Sequence, residues 1–459
     1  MTLQEYLQSL RGRRLAVIGI GVSNQPLLKL LLEAGLDVTA CDRKDRTALG
    51  AMAEELERAG CALRLGADYL EGLDHDVIFR TPGLHPRYLE EAKSRGSTIT
   101  SEMEVFFEVC PCPILAVTGS DGKTTTTTII ARLLERAGHT VHLGGNIGRP
   151  LLSETETIRP MDWAVVELSS FQLLTMERSP QIAVLTNLAP NHLDVHTDMD
   201  EYIRAKSAIF AHQGPGDRAV FNGDNEITRS LSGTAAGKVS CFTARSPENL
   251  RRGCFLRGDA IWFREDGAER EVLPLTDILL PGSHNVENYM AAVCAVQDLV
   301  PDAVIRDFAR TFGGVEHRIE LVRERRGVRW YNDSIASSPS RTMAGLRSFP
   351  EQVILIAGGK DKGVGYAPLG PVVNEHVKLL ILCGATAGAI RAAAEQAENF
   401  RGLEIAEVPD YPAAVSLADR RSGPGDVVLL SPASTSFDRF RNFEERGRVF
   451  KDLVNALPE

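Results

Sequence analysis

Short apolar runs alternate with amphipathic stretches along almost the whole chain. Residues 15–19 form an apolar run ending in Gly19 and predict a buried strand, with a helix after it over 25–34. Further strands are predicted at 37–42 and 76–79. The second of these runs into Arg80, Thr81, Pro82 and Gly83, a turn signal. Beyond Cys110-Pro111-Cys112-Pro113 the pattern restarts, with strands at 114–118, 163–168 and 182–186 and a helix at 126–137. A helix over 199–210 places Tyr202, Ile203, Ile209 and Phe210 on one apolar side. A β-rich stretch at 237–273 and a helix at 285–299 follow. After Gly313-Gly314 come strands at 328–332, 353–357, 379–383 and 427–430, and a last helix at 442–457. This alternation is the mark of an α/β chain with mainly parallel sheets, and it divides into three domains at 1–110, 111–313 and 314–459.

Composition narrows the class. Of 459 residues, 43% are hydrophobic and 24% charged, which suits a folded chain with a sizeable core. The net charge is −10 and no Lys/Arg block stands out, so no nucleic-acid partner is expected. The eight cysteines are scattered, and Cys110-Pro-Cys112 lacks the second pair that a zinc site needs. They read as reduced thiols in a cytoplasmic protein. The apolar run after Arg14 is too short and too glycine-rich for a signal peptide or a membrane span.

The sharpest chemistry lies in residues 118–125, Thr-Gly-Ser-Asp-Gly-Lys-Thr-Thr, between a predicted strand and a predicted helix. Glycines there let backbone N–H groups turn toward phosphate oxygens, and the helix start adds a positive dipole end. Lys123 is placed to meet the β- and γ-phosphates, and the Thr124 hydroxyl to meet Mg²⁺. Val117 stands where the common pattern has its first glycine, so an ordinary glycine-rich turn is the plain alternative. Polar residues gather at other strand ends: Asn146 in a glycine-rich loop, Glu167 before Ser169, and Asn191 with His192 after 182–186. Taken singly, Glu167 reads as a helix cap, His192 as an exposed loop residue and Lys206 as a solvated helix lysine.

Taken in order, these runs resemble the Mur ligases. The phosphate loop, Gly144 to Gly148, Glu167-Leu-Ser-Ser-Phe-Gln172, Asn187 to His192, Pro281-Gly-Ser-His-Asn285 and Glu316-His317-Arg318 carry the likeness over the whole chain. The Glu167 run and the C-terminal stretch from Leu430 to Gly447 point to the D-glutamate-adding branch.

The resemblance implies a Rossmann-like N-terminal domain that binds a UDP-sugar, a central P-loop ATPase-type domain and a Rossmann-like C-terminal domain that binds the amino acid. Gly119, Ser120, Asp121, Gly122, Lys123, Thr124 and Thr125 would hold ATP, with Asn285, Asn288, Arg318 and Asp333. Lys123, His192 and Lys206 would be catalytic. Thr124, Glu167, His192 and Lys206, the last as a carbamate, would ligate two Mg²⁺ ions. Gly21, Val22, Ser23, Asn24, Asp42, Thr81, Asn146 and Ser169 would line the UDP-sugar site. Ser337, Lys362, Ser436, Phe437 and Phe443 would hold the amino acid. Two departures fall in the third domain: Ile335 stands where many members carry lysine, and Gly358-Gly-Lys-Asp-Lys-Gly363 differs from the commoner Gly-Gly-Asp-Gly-Lys.

The reaction so implied is ATP-dependent joining of D-glutamate to UDP-N-acetylmuramoyl-L-alanine through an acyl phosphate, in peptidoglycan precursor synthesis. A monomer without membrane or nucleic-acid partners is expected. The rival readings are a sister ligase with another acceptor, such as a folylpolyglutamate-type enzyme, and a non-catalytic nucleotide sensor.

Overall fold

A computed structural model describes every residue of the chain except 22, 191–195, 246, 362 and 459. The first sheet contains β1 (Arg14–Ile18), β2 (Asp37–Asp42), β3 (Ala62–Leu65), β4 (Val77–Phe79) and β5 (Thr98–Thr100). All pair in parallel, in the order β3-β2-β1-β4-β5. Four of the five β1 residues are buried, as expected of a strand covered on both faces. The helix Gln25–Glu33 lays Leu27, Leu28 and Leu31 on that sheet.

The second sheet contains β6 (Ile114–Thr118), β7 (Val141–Gly145), β8 (Trp163–Glu167), β9 (Ile182–Leu185), β10 (Arg218–Asn222), β11 (Lys238–Thr243), β12 (Gly253–Arg257), β13 (Ala260–Glu265) and β14 (Ala268–Pro274). Its order is β14-β13-β12-β11-β10-β9-β6-β8-β7. The chain leaves β6 for β7 and β8 on one side, then crosses to β9 on the other. That reversal opens a crevice at the carboxyl end of β6, where ligands of open α/β sheets bind. The last two strands are antiparallel and account for the β-rich stretch of the sequence.

The third sheet contains β15 (Glu320–Arg325), β16 (Val328–Asn332), β17 (Val353–Ala357), β18 (Val377–Leu382), β19 (Glu404–Glu407) and β20 (Val427–Leu430), in the order β15-β16-β20-β17-β18-β19. Only β15 runs antiparallel to its neighbour. Here the reversal lies between β17 and β20.

The chain forms two compact units, Met1–Asp277 with Val286–Phe308, and Ile278–Asn285 with Ala309–Glu459. The first holds two sheets and the second holds one. Within the first unit, one apolar cluster includes Leu15 and Phe79 of the first sheet and Ala116, Val166 and Leu185 of the second. The helix Glu102–Val109 lies between them, burying Met103, Val105, Phe106, Phe107 and Val109.

Two expectations need correction. The helix after the phosphate loop starts at Lys123, three residues before the predicted 126, because Gly122 at φ +76° closes the loop and admits Lys123 and Thr124 to the first turn. Lys206 is not a solvated helix lysine: it is 2% exposed, turned into the sheet end from the helix Met199–Ala211. Among the described residues, no helix is long and apolar enough to cross a membrane.

Candidate active site

The phosphate loop is held from behind by the ends of β8 and β9. Thr118 Oγ1 donates to the Leu168 carbonyl at 2.7 Å, and Ser120 N donates to the Asn187 carbonyl at 2.9 Å. Asp121 N donates to Asn187 Oδ1 at 2.9 Å, and Thr186 Oγ1 donates to the Asp121 carbonyl at 2.6 Å. Two glycines are required by space as well as by angle. A Cβ on Gly119, at φ +152°, would lie 1.9 Å from Thr186 Oγ1. One on Gly122 would lie 2.4 Å from Asn288 Oδ1, which also accepts from Thr126 Oγ1 at 3.1 Å. Asn288 therefore sits against the loop.

Lys123 Nζ donates to the Ser120 carbonyl at 2.9 Å, folding the side chain over the loop. Thr124, in the first helical turn, donates through Oγ1 to Glu167 Oε2 at 2.7 Å. Asn146 Nδ2 donates to the other oxygen of Glu167, also at 2.7 Å. Lys123, Thr124, Asn146 and Glu167 thus meet at the mouth of the β6 crevice. Glu167 is not the cap of the next helix. Ser169 fills that role, accepting from Gln172 N and donating through Oγ to Gln172 Oε1 at 2.9 Å.

Lys206 Nζ donates to the Gly119 carbonyl at 2.8 Å and to Thr118 Oγ1 at 3.1 Å. Burial, and then the charge of Lys123, holds its amine well below the ordinary lysine range. One turn earlier on the same helix, the Tyr202 hydroxyl lies 2.9 Å from Ser120 Oγ. Sequence reasoning took Tyr202 as core packing only. Its spacing of four from Lys206 was the available signal, since such residues share a helix face. His192 and Asn191 lie outside the described residues.

In the first sheet, Asn24 is buried and its Nδ2 donates to the Ile18 and Gly19 carbonyls at 2.9 and 3.1 Å. The amide ties down the turn in which a dinucleotide fingerprint has its third glycine. Asp42, at the end of β2, accepts from Ile20 N at 2.6 Å and Lys44 N at 2.8 Å. Thr81 packs against Gly19, where a Cβ would meet Thr81 Cβ at 3.0 Å. Gly21 and Ser23 are exposed beside them, and position 22 is outside the described residues. Arg80, missed as a candidate, is fully buried. It gives hydrogen bonds to the carbonyls of Leu84 at 3.0 Å and Phe171 at 2.9 Å and to Thr175 Oγ1 at 3.0 Å. It thereby fixes the loop after β4 to the helix after Glu167.

In the second unit, the ends of β16, β17 and β20 converge. Asp333 is buried, accepts from Ser431 Oγ at 2.8 Å, and is pushed up to about 7 by burial. Arg318 contributes charge that partly opposes this rise. Asn285 Nδ2 donates to the Pro281 carbonyl at 2.7 Å. Lys360 and Thr435 exchange backbone hydrogen bonds, pairing the loops after β17 and β20. Ser436 is buried just beyond this pairing, whereas Phe437 is 62% exposed. Arg446, also missed, is 1% exposed and spans the site floor. It donates to Ser334 Oγ and O at 3.0 and 2.7 Å and to the Ser434 carbonyl at 3.0 Å. Ser334 Oγ in turn donates to the Phe443 carbonyl at 2.7 Å. Ser337 and Phe443 are half-buried near these loops, and position 362 is outside the described residues.

Known families match both halves of this arrangement. The Mur ligase middle domain matches residues 117–296, and the Mur ligase glutamate ligase domain matches residues 317–434. A UDP-N-acetylmuramoylalanine--D-glutamate ligase of Acetivibrio thermocellus is 50% identical over 463 residues, covering 99% of each chain. The chain belongs to the Mur ligase family. Another relative of the same name, from Symbiobacterium thermophilum, is 48% identical over 97% of this Mur ligase and 98% of its own length. The UDP-N-acetylmuramate-alanine ligase MurC of Thermotoga maritima shares the fold at a TM-score of 0.58 and 17% identity, over 97% of this chain and 99% of its own. MurF of Acinetobacter baumannii aligns at 0.57 and 16%, over 84% and 92%.

Proposed function

We propose that this chain is the ATP-dependent ligase that joins D-glutamate to UDP-N-acetylmuramoyl-L-alanine, making a peptidoglycan precursor. Near-full-length identity of about one residue in two with D-glutamate ligases carries the reading. The phosphate loop with Thr124 on Glu167 supports an enzyme over a sensor, since binding alone needs no carboxylate aimed at the loop. The Gly19 turn with Asp42 and Thr81 supports a nucleotide-sugar substrate over a folate-type one.

In the first unit, residues 119–125 and Asn288 cradle the triphosphate; in the second, Asn285, Arg318 and Asp333 are candidate nucleotide contacts. Gly21, Ser23, Asn24, Asp42, Thr81, Asn146 and Ser169 serve the sugar nucleotide, and Ser337, Ser436, Phe437 and Phe443 the acceptor. The substrate carboxylate attacks the γ-phosphorus and ADP leaves. Lys123 offsets the repulsion between the two anions. The acceptor's neutral amine then attacks the acyl carbon, phosphate departs with the C–O bond pair, and the nitrogen's extra proton passes to the departing phosphate.

A hydroxyl and a carboxylate 2.7 Å apart are hard oxygen donors, and their mutual hydrogen bond is one a divalent cation can replace. Thr124 and Glu167 therefore fit Mg²⁺, which when bound neutralises phosphate charge. A second ion would rest on residue 192 and on Lys206 as a carbamate. Burial lowers the Lys206 amine well below the ordinary lysine range and so favours the neutral form, which adds CO₂ with loss of a proton. The enzyme works as a cytoplasmic monomer.

Phosphate release from ATP, UDP-N-acetylmuramoyl-L-alanine and a panel of amino acids tests this reading. Release is expected with D-glutamate. Turnover with another amino acid and none with D-glutamate would overturn the acceptor.

A further inference from the structure

Glu201 sits in the first turn of the helix Met199–Ala211, yet it is not needed as the cap. Asp198 already fills that place, its Oδ1 accepting from Glu201 N at 2.7 Å. The Glu201 carboxylate instead joins the loop after β4 to the stretch just before its own helix. It accepts from Thr197 N at 2.8 Å. His85 Nε2, from the loop after β4, lies 3.3 Å from Oε1. His196 Nδ1 lies 3.3 Å from Oε2, off the line of a good hydrogen bond.

The His85 tautomer follows from its other nitrogen. Nδ1 accepts from Arg87 N at 3.2 Å, so in the neutral ring Nε2 carries the hydrogen and faces the carboxylate as a donor. His196 stacks on Phe171, with centroids 5.3 Å apart and planes 4° from parallel, and its Nε2 lies 2.9 Å from Ser170 Oγ. Burial opposes the Glu201 charge, but the hydrogen bonds from Thr197 and His85 outweigh it and hold the carboxyl below its ordinary range.

Both ends of this link reach a candidate binding loop. On one side, the loop from Thr81 to His85 packs on the Gly19 turn through Thr81 and is clamped by Arg80. On the other, the residue after Glu201 is Tyr202, whose hydroxyl contacts Ser120, and one turn on is Lys206, bonded to Gly119. Apart from the charged contact itself, the connection passes through packed helix and backbone, which transmit small shifts.

We propose that Glu201 is a positioning residue that couples the loop at 81–85 to the phosphate loop, so that sugar-nucleotide binding at one tightens ATP binding at the other. The inference rests on the substrates assigned above. Such coupling is reciprocal and is read as the ratio of ATP-analogue affinities with and without the second ligand.

The test is calorimetric titration of the full-length protein with a non-hydrolysable ATP analogue and Mg²⁺, with and without saturating UDP-N-acetylmuramoyl-L-alanine. The wild type is expected to bind the analogue about five-fold or more tighter when the sugar nucleotide is present. In Glu201→Ala and in His85→Ala, each ligand alone should still bind within about three-fold of wild type, while the ratio falls toward one. The double variant should lose no more than either single one, because both remove the same link. Glu201→Gln keeps an acceptor for Thr197 N but not the charge, and should give a ratio between the two. A merely structural Glu201 would weaken both ligands and leave the ratio at its wild-type value, and that result, or a wild-type ratio of one, overturns the proposal. If Glu201→Ala does not fold, His85→Ala carries the same test from the opposite side. Failure of the wild type to bind the sugar nucleotide at all would remove the substrate reading as well, and so differs from loss of coupling between two ligands that both bind.

Discussion

Thr124 Oγ1 and Glu167 Oε2 are 2.7 Å apart, one in the first helical turn after β6 and the other at the last residue of β8. Adjacent parallel strands bring them together, Val117 of β6 lying in register with Glu167. Glu167→Gln keeps the volume and an acceptor oxygen but removes the negative charge. If the pair holds a divalent cation, the loss should be about 3 kcal/mol of transition-state stabilisation, or ~100-fold in kcat/KM. Phosphate release across a Mg²⁺ titration checks this. A variant with wild-type kcat/KM and an unshifted Mg²⁺ dependence would remove the carboxylate from the cation site.

Gly119→Ala should abolish nucleotide binding. Its Cβ would lie 1.9 Å from Thr186 Oγ1, at a φ of +152° that side chains rarely adopt. Either the loop or the β9 end must move. Gly138→Ala makes the control: φ there is +93°, but a Cβ meets nothing within 4 Å. That variant should cost about 1 kcal/mol or somewhat more in stability and leave ATP affinity alone. Titration with an ATP analogue and thermal unfolding of both variants separate loop geometry from backbone strain.

Lys206 offers a gas-dependent test. Its amine is buried, and burial holds it well below the ordinary lysine range, which favours the uncharged state that can attack CO₂. Activity should fall in rigorously degassed, bicarbonate-free buffer and return on adding bicarbonate. Lys206→Ala should be inactive under both conditions. A carbon-13 carbamate resonance from labelled bicarbonate, absent in the variant, would identify the adduct. Full wild-type activity without any carbamate signal would refute it.

Much of the fold was legible because buried parallel strands are local signals. The runs at 114–118, 328–332, 353–357 and 427–430 are observed at those residues, since continuous apolar segments between turn signals need no distant partner to declare themselves. Likewise the phosphate loop announces itself by local spacing. Lys206 did not, because its burial depends on the Thr118–Gly119 backbone reaching it across 87 positions. The pairing of His85 with Glu201 spans 116 positions and follows only from packing the first sheet on the second. Arg446 lay within a run already associated with the acceptor site, yet its role as a clamp needed the β16 and β20 loops in place.

Glu102 gives a prediction in pH. It is 7% exposed, and burial pushes its carboxyl up to about 7 despite a hydrogen bond accepted from Leu152 N at 2.9 Å. A raised folded-state pKa means that the native state holds the proton more tightly than the unfolded chain. The associated stability is present in full below pH ~4.5 and is lost as pH rises toward and through 7. Glu102→Gln keeps an acceptor for Leu152 N without ever ionising. It should therefore be close to neutral at pH 5 and stabilising by about 3 kcal/mol at pH 8, seen as a higher unfolding temperature at the higher pH only. Equal shifts at both pH values would show that Glu102 does not titrate with folding.

Arg446 gives a prediction on acceptor binding. It contacts Ser334, one residue before Ile335, and Ser434, two residues before Ser436, so one guanidinium sets the spacing of the two loops proposed to hold the acceptor. With the uncharged Ile335 in that loop, less of that binding can come from a direct cation there and more must come from loop placement. Arg446→Lys keeps the charge but cannot reach three acceptors in a fixed plane. Leaving one buried carbonyl unpaired should cost about 1–3 kcal/mol. The KM for D-glutamate is expected to rise about ten-fold or more, with the KM for UDP-N-acetylmuramoyl-L-alanine within about two-fold of wild type. That split is the informative measurement, because general destabilisation would lower active enzyme and kcat without moving one KM. Equal rises in both KM values would show that Arg446 supports the unit as a whole, and an unchanged D-glutamate KM would detach it from the acceptor site.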